Sequence, residues 1–563
     1  MKIKNSLTEP WYLKYSFFIL VVFVLTLYIK TIGLSYSRLD DDFYILTQQS
    51  SNEKWSSLLD VFNEGVGGKR DILYRPVFRT TFVFESHLLA LFHPQDFAKA
   101  AIKLAHFDNI LLHIIQVLLF FQLLIYLSFH RLNALMASLL FAAHPIMTMA
   151  VAWVPGRNEM LLSVFMLVYL IGFIKYVDKP NWKWLLVQVI GFMLALFSKE
   201  NAVCIPLAAM AYLFFFKRKT ISKKTWLFSF LIWMPSILLW YVIRNQAIEE
   251  GYIYGSFGEM ISLFFQRAPA IIQYTGKIFF PLNLSVYPYI KDTSFIPGIL
   301  AIGGLVWVAF TNKQRNMSLI GFGMLWYVLF ILPAFVVPKN LTNAMFEHRM
   351  YVPYTGMVFI VAGAFQNWKV FGDSMRKGFG ISLLVICSMI SFRYFNVFAD
   401  EFSFFKNAVE NNPHSSQASR MYAMQLNTAG KQEQAIGYFE KALALDSNEL
   451  FANYYLADLL YMNENDLDKA AYHLDREIKL NPFFLETYGK RVYVAYQHRD
   501  FQTIKKLMQN VLKMYPNNEI SSLNLLISYM ELGEKENAHT HLDKMLKAGV
   551  AVDTSLIRKV KSM

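Results

Sequence analysis

Long apolar stretches separated by short polar segments fill the first 400 residues of the chain. A helix that crosses a bilayer needs about 20 predominantly apolar residues. Eleven stretches are predicted to be membrane spans on this basis. They are residues 15–34, 104–127, 133–151, 159–177, 184–198, 202–216, 226–243, 296–311, 318–337, 351–367 and 378–396. The first is predicted to be an uncleaved signal anchor, because no clear small-residue cleavage site follows its apolar core.

The distribution of lysine and arginine predicts which loops face the cytosol. Cytoplasmic loops carry an excess of these residues, and four basic clusters fall on one side if the N-terminus is cytoplasmic and eleven spans alternate. The clusters are Lys175, Lys179 and Lys183; Lys217, Arg218, Lys219, Lys223 and Lys224; Lys313 and Arg315; and Lys369, Arg376 and Lys377. Residues 267–292 contain Pro281, Pro288 and several tyrosines, and are predicted to be re-entrant or interfacial. The non-cytoplasmic side is then predicted to contain residues 35–103, 144–158, 244–266, 338–350 and the C-terminal tail.

Near residue 396 the apolar stretches end, and a repeat with a period of 34 or 35 residues follows. Its markers are Asn412-Pro413, Asp446-Ser447, Asn481-Pro482 and Tyr515-Pro516. Each period reads as two apolar-faced helices joined by a turn, which strongly resembles the tetratricopeptide (TPR) repeat. One helix pair cannot bury its own apolar face, so about four repeats are expected to stack into a solenoid with a concave surface. A groove for an extended peptide is the predicted use, and a plain spacer is the alternative.

Composition excludes an ordinary soluble protein. Of the 563 residues, 55% are hydrophobic and 17% are charged, whereas soluble domains carry about 25% charged residues. The formal net charge of +13 belongs to the membrane portion and follows from the excess of basic residues in its cytoplasmic loops, so no nucleic-acid partner is expected. Both cysteines, Cys204 and Cys387, lie in apolar runs, which gives no disulfide framework and no metal cluster.

Three consecutive aspartates, Asp40, Asp41 and Asp42, follow the first predicted span. An aspartate at the centre of a span costs about 2.5–3.5 kcal/mol on insertion scales, and a position at the interface removes much of that cost. Adjacent like charges raise the pKa of at least one carboxyl, which makes it a better base. The cluster is therefore predicted to hold a catalytic carboxylate at the water–lipid boundary, with a solvated loop as the alternative.

Four more segments on the same predicted side place a cation near a carboxylate. Arginine suits bidentate phosphate recognition and lysine suits point-charge pairing. The residues are Arg75, Arg79, Glu85 and His87; His144, Trp153, Arg157 and Glu159; Lys199 and Glu200; and Glu347, His348, Arg349 and Tyr351. Loop-bracing ion pairs or snorkelling anchors explain any single pair equally well, but all four on the side of the aspartates favour an anion site. His144, His106 and His113 are expected to be structural.

The order of these motifs resembles the TMTC-type protein O-mannosyltransferases and their bacterial relatives, which are GT-C enzymes with a membrane core followed by TPR repeats. The matching motifs are Asp-Asp before Tyr44-Ile45, Tyr74-Arg75-Pro76, His144-Pro145 before Gly156-Arg157, Lys199-Glu200, and Glu347-His348-Arg349 with Tyr351-x-Pro353. They cover about residues 12–563. The third aspartate makes the register ambiguous. Alignment on Tyr44-Ile45 makes Asp40 and Asp41 the family pair, with Asp41 preferred as the base and Asp40 second. The TPR tail is shorter than in many relatives.

The resemblance implies sugar transfer from a polyprenyl-phosphate-linked donor to a Ser or Thr hydroxyl of an exported protein held by the TPR domain. One aspartate takes the hydroxyl proton, a single displacement inverts the anomeric carbon, and cations stabilise the departing phosphate. The expected phosphate ligands are Arg349 and Lys199, then Arg157 and Arg75, with Glu347 and Glu200 orienting them and Glu159, His348, Arg79 and Tyr351 in support. No cofactor is expected, since arginine and lysine neutralise a monophosphate. A divalent cation on the aspartates is the alternative.

The predicted fold class is all-α. A GT-C-type membrane domain of about eleven transmembrane helices occupies residues 1–398, with 35–103 as its first outer loop, and a TPR α-solenoid occupies 399–563. The active site and the TPR domain are expected in the bacterial periplasm, or in the endoplasmic reticulum lumen of a eukaryote. Two alternative functions stay open: a GT-C transferase acting on a lipid-linked glycan or glycolipid, and a non-enzymatic membrane-anchored TPR scaffold. The sugar and the acceptor sequence are not indicated.

Overall fold

The computed structural model describes residues 10–68, 73–217, 223–248, 256–337, 344–368, 372–464 and 466–563. In these ranges the chain is helical, and the one extended contact is an isolated bridge between Gly65 and Gly68. The predicted all-α class is confirmed. The chain divides into two compact units, residues 1–412 and 413–563, whereas the predicted boundary lay after residue 398.

The first unit contains the helices of the apolar stretches. They are α1 (Ser16–Tyr28), α2 (Pro76–Phe92), α3 (Phe97–Tyr126), α4 (Arg131–Ala143), α5 (Arg157–Asp178), α6 (Trp182–Ser198), α7 (Ile205–Tyr212), α8 (Lys223–Ala247), α9 (Phe257–Arg267), α10 (Ala270–Phe279), α11 (Ile296–Thr311), α12 (Met317–Ile331), α13 (Pro353–Ala364), α14 (Asp373–Tyr394) and α15 (Glu401–Asn411). Short helical turns between them are Trp11–Lys14, Ile29–Gly33, Phe43–Thr47, Gln49–Asn52, Ser57–Asp60, Pro145–Met147, Thr148–Ala152, Val154–Gly156, Glu200–Cys204, Leu213–Lys217, Ile290–Asp292, Leu332–Phe335, Glu347–Met350 and Phe395–Phe398.

Seven helical segments of the described chain are long and apolar enough to cross a membrane. They are Ser16–Gly33, Phe97–Tyr126, Val154–Asp178, Glu200–Lys217, Trp226–Ala247, Met317–Phe335 and Ser374–Phe398. An eighth forms if α4 and Pro145–Ala152, which meet at a 53° bend, count as one span. The other three predicted spans coincide with α6, α11 and α13, which are apolar but shorter. The chain is a multi-pass membrane protein, and the number of eleven spans stays a prediction.

Local sequence explains where these helices begin and bend. The side chain of Asp96 accepts a hydrogen bond from the backbone N–H of Lys99 at 3.0 Å and caps α3, as N-cap residues do. Pro145 lacks a backbone N–H and clashes with a continuing helix, so the chain bends after α4. Between α12 and α13, a Cβ on Gly323 would lie 2.5 Å from the carbonyl oxygen of Gly356. Only glycine allows that approach.

Residues 267–292 form α10 and then a largely non-helical segment, rather than a membrane-crossing helix. The 10-residue α10 is about 15 Å long at 1.5 Å per residue, half of the hydrocarbon thickness. This agrees with the expectation that the segment is not a simple span, and its interfacial position stays a prediction. The basic cluster near residue 220 falls mostly outside the described residues: Arg218 and Lys219 are not described, nor are the side chains of Lys223 and Lys224. The same is true of Lys369, in another predicted cluster.

The second unit is built from consecutive helices, each packed on the next. They are α16 (Ser416–Thr428), α17 (Gln432–Leu445), α18 (Ala452–Leu459), which continues into the turn Leu460–Glu464, α19 (Leu467–Leu480), α20 (Leu485–Gln497), α21 (Phe501–Met514), α22 (Glu519–Glu531), α23 (Lys535–Lys547) and α24 (Thr554–Lys561). Gly430 and Gly533 adopt φ of +73° and +70° in the turns after α16 and α22, a region that favours glycine. The predicted alternation of helix and turn is therefore present, and the TPR assignment stays a prediction.

Candidate active site

The aspartate cluster lies in the segment between α1 and the turn Phe43–Thr47, and its three members differ in environment. Asp41 is 2% exposed. One of its oxygens accepts hydrogen bonds from the backbone N–H and the hydroxyl of Ser37, at 2.7 and 3.0 Å. Asp42 is half-buried and accepts a bond from the N–H of Phe43 at 3.0 Å. Asp40 is exposed, with a left-handed φ of 75°. Among the three, Asp41 is the buried carboxyl.

Burial raises the pKa of Asp41 to about 7, against the opposing effect of the hydrogen bonds from Ser37. The negative charge of Asp42 raises it further. A carboxyl with a pKa near neutrality accepts and releases a proton readily at physiological pH. A raised pKa of this kind suits a general base, and the role of Asp41 stays a prediction.

Packing on α2 holds this segment in place. The ring of Tyr44 lies edge-on to Phe78, with centroids 5.0 Å apart, and stacks on Phe82 at 5.7 Å. From the same helix, the guanidinium of Arg79 donates to the carbonyl oxygen of Val66 and, at 3.4 Å, to the side chain of Gln48. Arg79 therefore braces the residues that follow the aspartates, and its supporting role at the site stays a prediction.

Trp153 joins the aspartate loop to the turn Glu347–Met350. Its indole N–H donates to the carbonyl oxygen of Leu39 at 2.9 Å. Its ring stacks on Phe346 with centroids 6.2 Å apart and lies 5.0 Å from the imidazole of His348. One side chain thus connects three segments that are far apart in sequence.

Arg75 and Glu200 form a bidentate ion pair between the start of α2 and the turn that follows α6. The Nε of Arg75 lies 3.2 Å from both carboxylate oxygens of Glu200, and its Nη2 lies 3.0 Å from Oε2. Paired N–H groups in this fork fix the guanidinium plane. Glu200 therefore orients Arg75, one of the predicted phosphate ligands.

Lys199, next to Glu200 in sequence, contacts residues at the start of α5. Its ammonium donates to the side-chain oxygen of Asn158 at 3.0 Å and contacts the carboxylate of Glu159. Cations and carboxylates thus pair between segments, rather than within each segment as the sequence suggested.

Arg349 is half-buried, and among the described residues no carboxylate lies within ion-pair distance of it. Its Nη1 reaches only the carbonyl oxygens of Ala334 and Ala344, each at 3.4 Å. Its guanidinium lies 5.4 Å from the ring centroid of Phe346. Burial lowers the pKa of Arg349, as expected for a cation without a close counter-ion. Arg349 is thus the predicted ligand best placed to accept an external anion.

The charges of this site do not cancel. Arg75, Lys199 and Arg349 all act electrostatically on His348, which burial and these cations keep uncharged with a pKa well below its usual value. The same region holds two carboxylates, Glu159 and Glu200. Counted over these five residues alone, three cations and two carboxylates leave one positive charge in excess. We call Arg75, Lys199, Arg349, Glu159 and Glu200 the cation cluster.

Arg157 is 0% exposed, and its donors are bound within the protein. It donates to Asn109 at 2.9 Å, to Thr81 at 2.8 Å and to the carbonyl oxygen of Ala105 at 2.9 Å, and it pairs with Glu85 at 2.5 Å. These contacts tie the start of α5 to α2 and α3. They favour a structural role, so the predicted phosphate contact of Arg157 remains without support from its geometry.

Glu347 is 0% exposed and has a partner that the sequence did not suggest. It accepts hydrogen bonds from the ammonium of Lys277 at 2.7 Å and from the N–H of Ser285 at 3.0 Å, and Tyr394 lies 3.5 Å away. It therefore orients Lys277 rather than one of the four predicted phosphate ligands. Lys277 was missed because it lies in a segment that has no carboxylate close by in sequence.

The remaining predicted residues are buried in packing. The Tyr351 hydroxyl lies 2.7 Å from Nδ1 of His113. The Nε2 of His144 lies 2.8 Å from the carbonyl oxygen of Ile278, and its Nδ1 caps the next turn. His106 is buried in α3. His113, His144 and Tyr351 thus have contacts within the protein, whereas neither ring nitrogen of His106 has a hydrogen-bond partner among the described residues. The roles expected for these residues stay predictions.

Among the described residues, no three His, Cys, Asp or Glu side chains converge as a metal site would require. In the aspartate cluster, Asp41 is bonded to Ser37 and Asp42 to its own turn. The expectation that no metal is used stays a prediction.

Comparison with known proteins gives consistent matches. Residues 97–241 match the family model described as dolichyl-phosphate-mannose-protein mannosyltransferase. The chain is 23% identical over 466 residues to the protein O-mannosyl-transferase Tmtc3 of Drosophila melanogaster, covering 68% of this chain and 49% of the relative. It is 22% identical to mouse TMTC3, covering 82% and 59% of the two chains, and 31% identical to human TMTC4 over 152 residues, covering 23% and 19%.

These matches confirm the resemblance to TMTC-type protein O-mannosyltransferases. The chain spans about half of the length of the Drosophila relative. The family model covers the helices from α3 to most of α8, which include Arg157, Glu159, Lys199 and Glu200 but not the aspartates.

Proposed function

We propose that this chain is a membrane glycosyltransferase. It moves a sugar from a polyprenyl-phosphate-linked donor to a Ser or Thr hydroxyl of an exported protein, with inversion and with Asp41 as the general base. The observation that carries the proposal is the link through Trp153 between the segment of a buried carboxyl and the turn that bears Arg349. The relatives are named protein O-mannosyl-transferases, so mannose is the first sugar to test.

The charge of the cation cluster suits this donor. A sugar linked through one phosphate to a polyprenol is a phosphodiester with one negative charge, and the polyprenyl phosphate that leaves carries up to two. One excess positive charge balances the bound donor, and preorganised N–H groups stabilise the charge that develops as the bond breaks. Arg349 makes the direct contact in this proposal, while Arg75 and Lys199 are held in place by Glu200 and Glu159.

Asp41 removes the proton from the acceptor hydroxyl as its oxygen attacks the anomeric carbon. The new glycosidic bond forms while the bond from that carbon to the phosphate oxygen breaks, and the phosphate takes the electron pair. A single displacement inverts the anomeric centre. General-base catalysis of this kind contributes typically 10²–10⁴-fold to a rate. No metal is needed in this scheme, because the phosphate charge is met by arginine and lysine.

In this proposal the site lies on the non-cytoplasmic face, which is the periplasm in a bacterium or the endoplasmic reticulum lumen in a eukaryote. Two features support this side. The aspartates follow the first span of a chain whose N-terminus is predicted to be cytoplasmic, and the basic clusters fall on the other side of the alternating spans. The helical repeats of residues 413–563 would hold the protein acceptor.

The test is a transfer assay with the purified full chain in lipid nanodiscs. Polyprenyl-phosphate mannose is offered with either a Ser/Thr-containing polypeptide or a glycolipid, and the product is identified by mass spectrometry. Asp41→Asn is expected to reduce transfer at least 100-fold, in line with the loss of a general base. Asp60→Asn is the matched control, since Asp60 is an exposed aspartate in the same outer segment.

Full activity of the folded Asp41→Asn variant would remove Asp41 as the base. Transfer to the glycolipid but not to the polypeptide would replace the protein acceptor with a lipid one. If cysteine labelling placed residue 41 and residue 563 on opposite sides of the bilayer, the acceptor model would fail.

A further inference from the structure

His348 is buried without a hydrogen-bond partner for one of its ring nitrogens. It is 6% exposed, and its Nδ1 has no hydrogen-bond partner among the described residues. A buried polar atom without a partner destabilises the fold, so it calls for an explanation, such as a ligand that completes its hydrogen bonding. The neighbouring residues Glu347 and Arg349 both have contacts within the protein.

Two aromatic rings fix the plane of this imidazole. Its centroid lies 5.0 Å from the ring of Trp153 and 5.2 Å from the ring of Phe346. Phe346 also lies under the guanidinium of Arg349. The imidazole of His348 is therefore held between the rings of Trp153 and Phe346. Trp153 is hydrogen-bonded to the aspartate loop, and Phe346 also contacts the guanidinium of Arg349.

His348 also lies in the field of the cation cluster. Arg75, Lys199 and Arg349 all act on it, and together with burial they keep its pKa well below the ordinary value. An uncharged imidazole carries one N–H donor and does not repel the three cations. A neutral donor surrounded by cations is suited to an anion that these cations attract.

We propose that the Nδ1–H of His348 donates a hydrogen bond to a phosphate oxygen of the polyprenyl-phosphate donor. The inference rests on the proposed function and deepens it by naming a further phosphate ligand. The proton stays on His348 throughout, so the bond changes no charge of the protein. Because the phosphate gains negative charge as the sugar leaves, the hydrogen bond strengthens towards the transition state and accelerates the chemical step more than it improves donor binding.

Two substitutions separate the hydrogen bond from the packing. His348→Phe keeps a ring between Trp153 and Phe346 and removes both nitrogens. His348→Asn removes the ring and keeps an N–H near the position of Nδ1. We expect His348→Phe to lower kcat by about 10²–10³-fold, as for loss of one preorganised donor, with a smaller change in KM for the donor. His348→Asn is expected to recover much of kcat, although it packs less well.

Binding of polyprenyl phosphate alone is the second readout, measured by its effect on the Tm of the full chain in nanodiscs. Polyprenyl phosphate, the doubly charged product, should raise the Tm of wild type by more than it raises the Tm of His348→Phe. A structural role alone would instead lower the Tm of the variant without the ligand and leave the ligand-induced shift unchanged. If His348→Phe does not fold, His348→Leu carries the same test, since it also removes both nitrogens.

The outcomes distinguish this inference from the proposed function. Wild-type kcat and an unchanged polyprenyl phosphate shift in the folded His348→Phe variant overturn the inference, while the loss of transfer in Asp41→Asn still supports the proposed function. If wild type transfers no sugar to any acceptor, the proposed function fails. The polyprenyl phosphate shift of wild type against His348→Phe then decides whether His348 is a phosphate ligand.

Discussion

The environment of one carboxyl, Asp41, sets the expected pH dependence of transfer. Burial raises its pKa to about 7, and only the ionised form accepts a proton from the acceptor. The kcat/KM of transfer should therefore be low below pH 6, rise through about pH 7 and level off near pH 8. Because the charge of Asp42 contributes to the raised pKa, Asp42→Asn should move the rise to lower pH and keep the plateau. A pH–rate profile of the two proteins measures both effects.

A rise centred near pH 4 in wild type would show that Asp41 is not the base. Asp60→Asn is the control, since removal of a distant exposed carboxylate should leave the midpoint unchanged.

The same raised pKa predicts how Asp41 affects stability. Its ordinary value is 3.8 and its folded value is about 7, so the folded state binds more protons than the unfolded state between these pH values. The contribution of Asp41 to the free energy of unfolding therefore falls as pH rises through this window. Asp41→Asn, which cannot ionise, should raise the Tm at pH 8 relative to wild type and change it much less at pH 4. Differential scanning fluorimetry at both values checks the difference.

An equal Tm change at pH 4 and pH 8 would mean that the loss of the bonds from Ser37 outweighs the ionisation. Ser37→Ala controls for those bonds, since it removes the hydroxyl donor and leaves the carboxyl ionisable.

At the scale of single residues, the sequence motifs named the residues of the candidate site but not the ion pairs among them. Asp41, Arg75, Lys199, Glu200 and Arg349 were all named from sequence, since charged residues in apolar surroundings stand out. The Lys199–Glu159 and Lys277–Glu347 pairs were not predicted, because ion pairs between distant segments depend on how helices pack. The distinction between Asp41 and its neighbours also needed the structure, because burial rather than residue type separates them.

At the scale of helices, Arg157 and Arg349 are both arginines, but Arg157 is expected to hold helices together and Arg349 to bind the donor phosphate. Arg157 joins α5 to α2 and α3 through Glu85 and Asn109. Breaking a buried pair by removing one partner typically costs about 3–5 kcal/mol. Arg157→Met should therefore lower the Tm strongly. It should also displace Lys199, because Lys199 contacts Asn158 and Glu159, which directly follow Arg157. Arg349→Gln should leave the Tm nearly unchanged and reduce transfer at least tenfold. Tm and kcat/KM of both variants decide between the roles.

The double variant Arg157→Met with Glu85→Gln is the control, because it also removes the buried ionisable carboxyl left without its partner. It should recover part of the Tm lost in Arg157→Met. A normal Tm for Arg157→Met, together with weaker polyprenyl phosphate binding, would instead restore the phosphate contact predicted for Arg157 from sequence.

The positions of the helices in the first unit follow largely from the pattern of apolar residues in the sequence. All eleven stretches predicted as spans contain helices, because apolar length and composition are direct properties of the sequence. Their lengths differ more than the pattern suggested, since α6, α11 and α13 are shorter than a usual span. The bend after α4 could have been read from Pro145. The break between α9 and α10 likewise coincides with Pro269, which caps the start of α10, whereas the packing of α10 on α11 depends on the tertiary structure.

At the scale of the whole molecule, the second unit supplies a candidate surface for the acceptor. A pocket of about 190 Å³ on this unit is lined by Ala457, Asp458, Tyr461, Leu474, Lys490, Tyr493 and Val494. The lining is mainly apolar, and the ion pair between Lys490 and Asp458 lies among these residues. Tyr493 is 47% exposed, so its ring is accessible to a partner. An apolar side chain of an extended polypeptide fits this chemistry.

Tyr493→Ala should raise the KM for a protein acceptor by about tenfold or more, because burying a large apolar side chain contributes about 1.5–3 kcal/mol. Its kcat should change little, since the proposed catalytic residues belong to the first unit. The KM for a short Ser/Thr peptide should also stay constant, because such a peptide need not reach the second unit. Steady-state kinetics with both acceptors measure the contrast.

Tyr472→Ala is the matched control, because Tyr472 is an exposed tyrosine of the same unit that does not line the pocket. It should leave both KM values at the wild-type level. Equal effects of the two substitutions would indicate a general change in the repeats rather than a binding pocket. An unchanged KM for the protein acceptor in Tyr493→Ala would leave the second unit as a spacer, and acceptor selection would then rest with the site around Asp41 and Arg349.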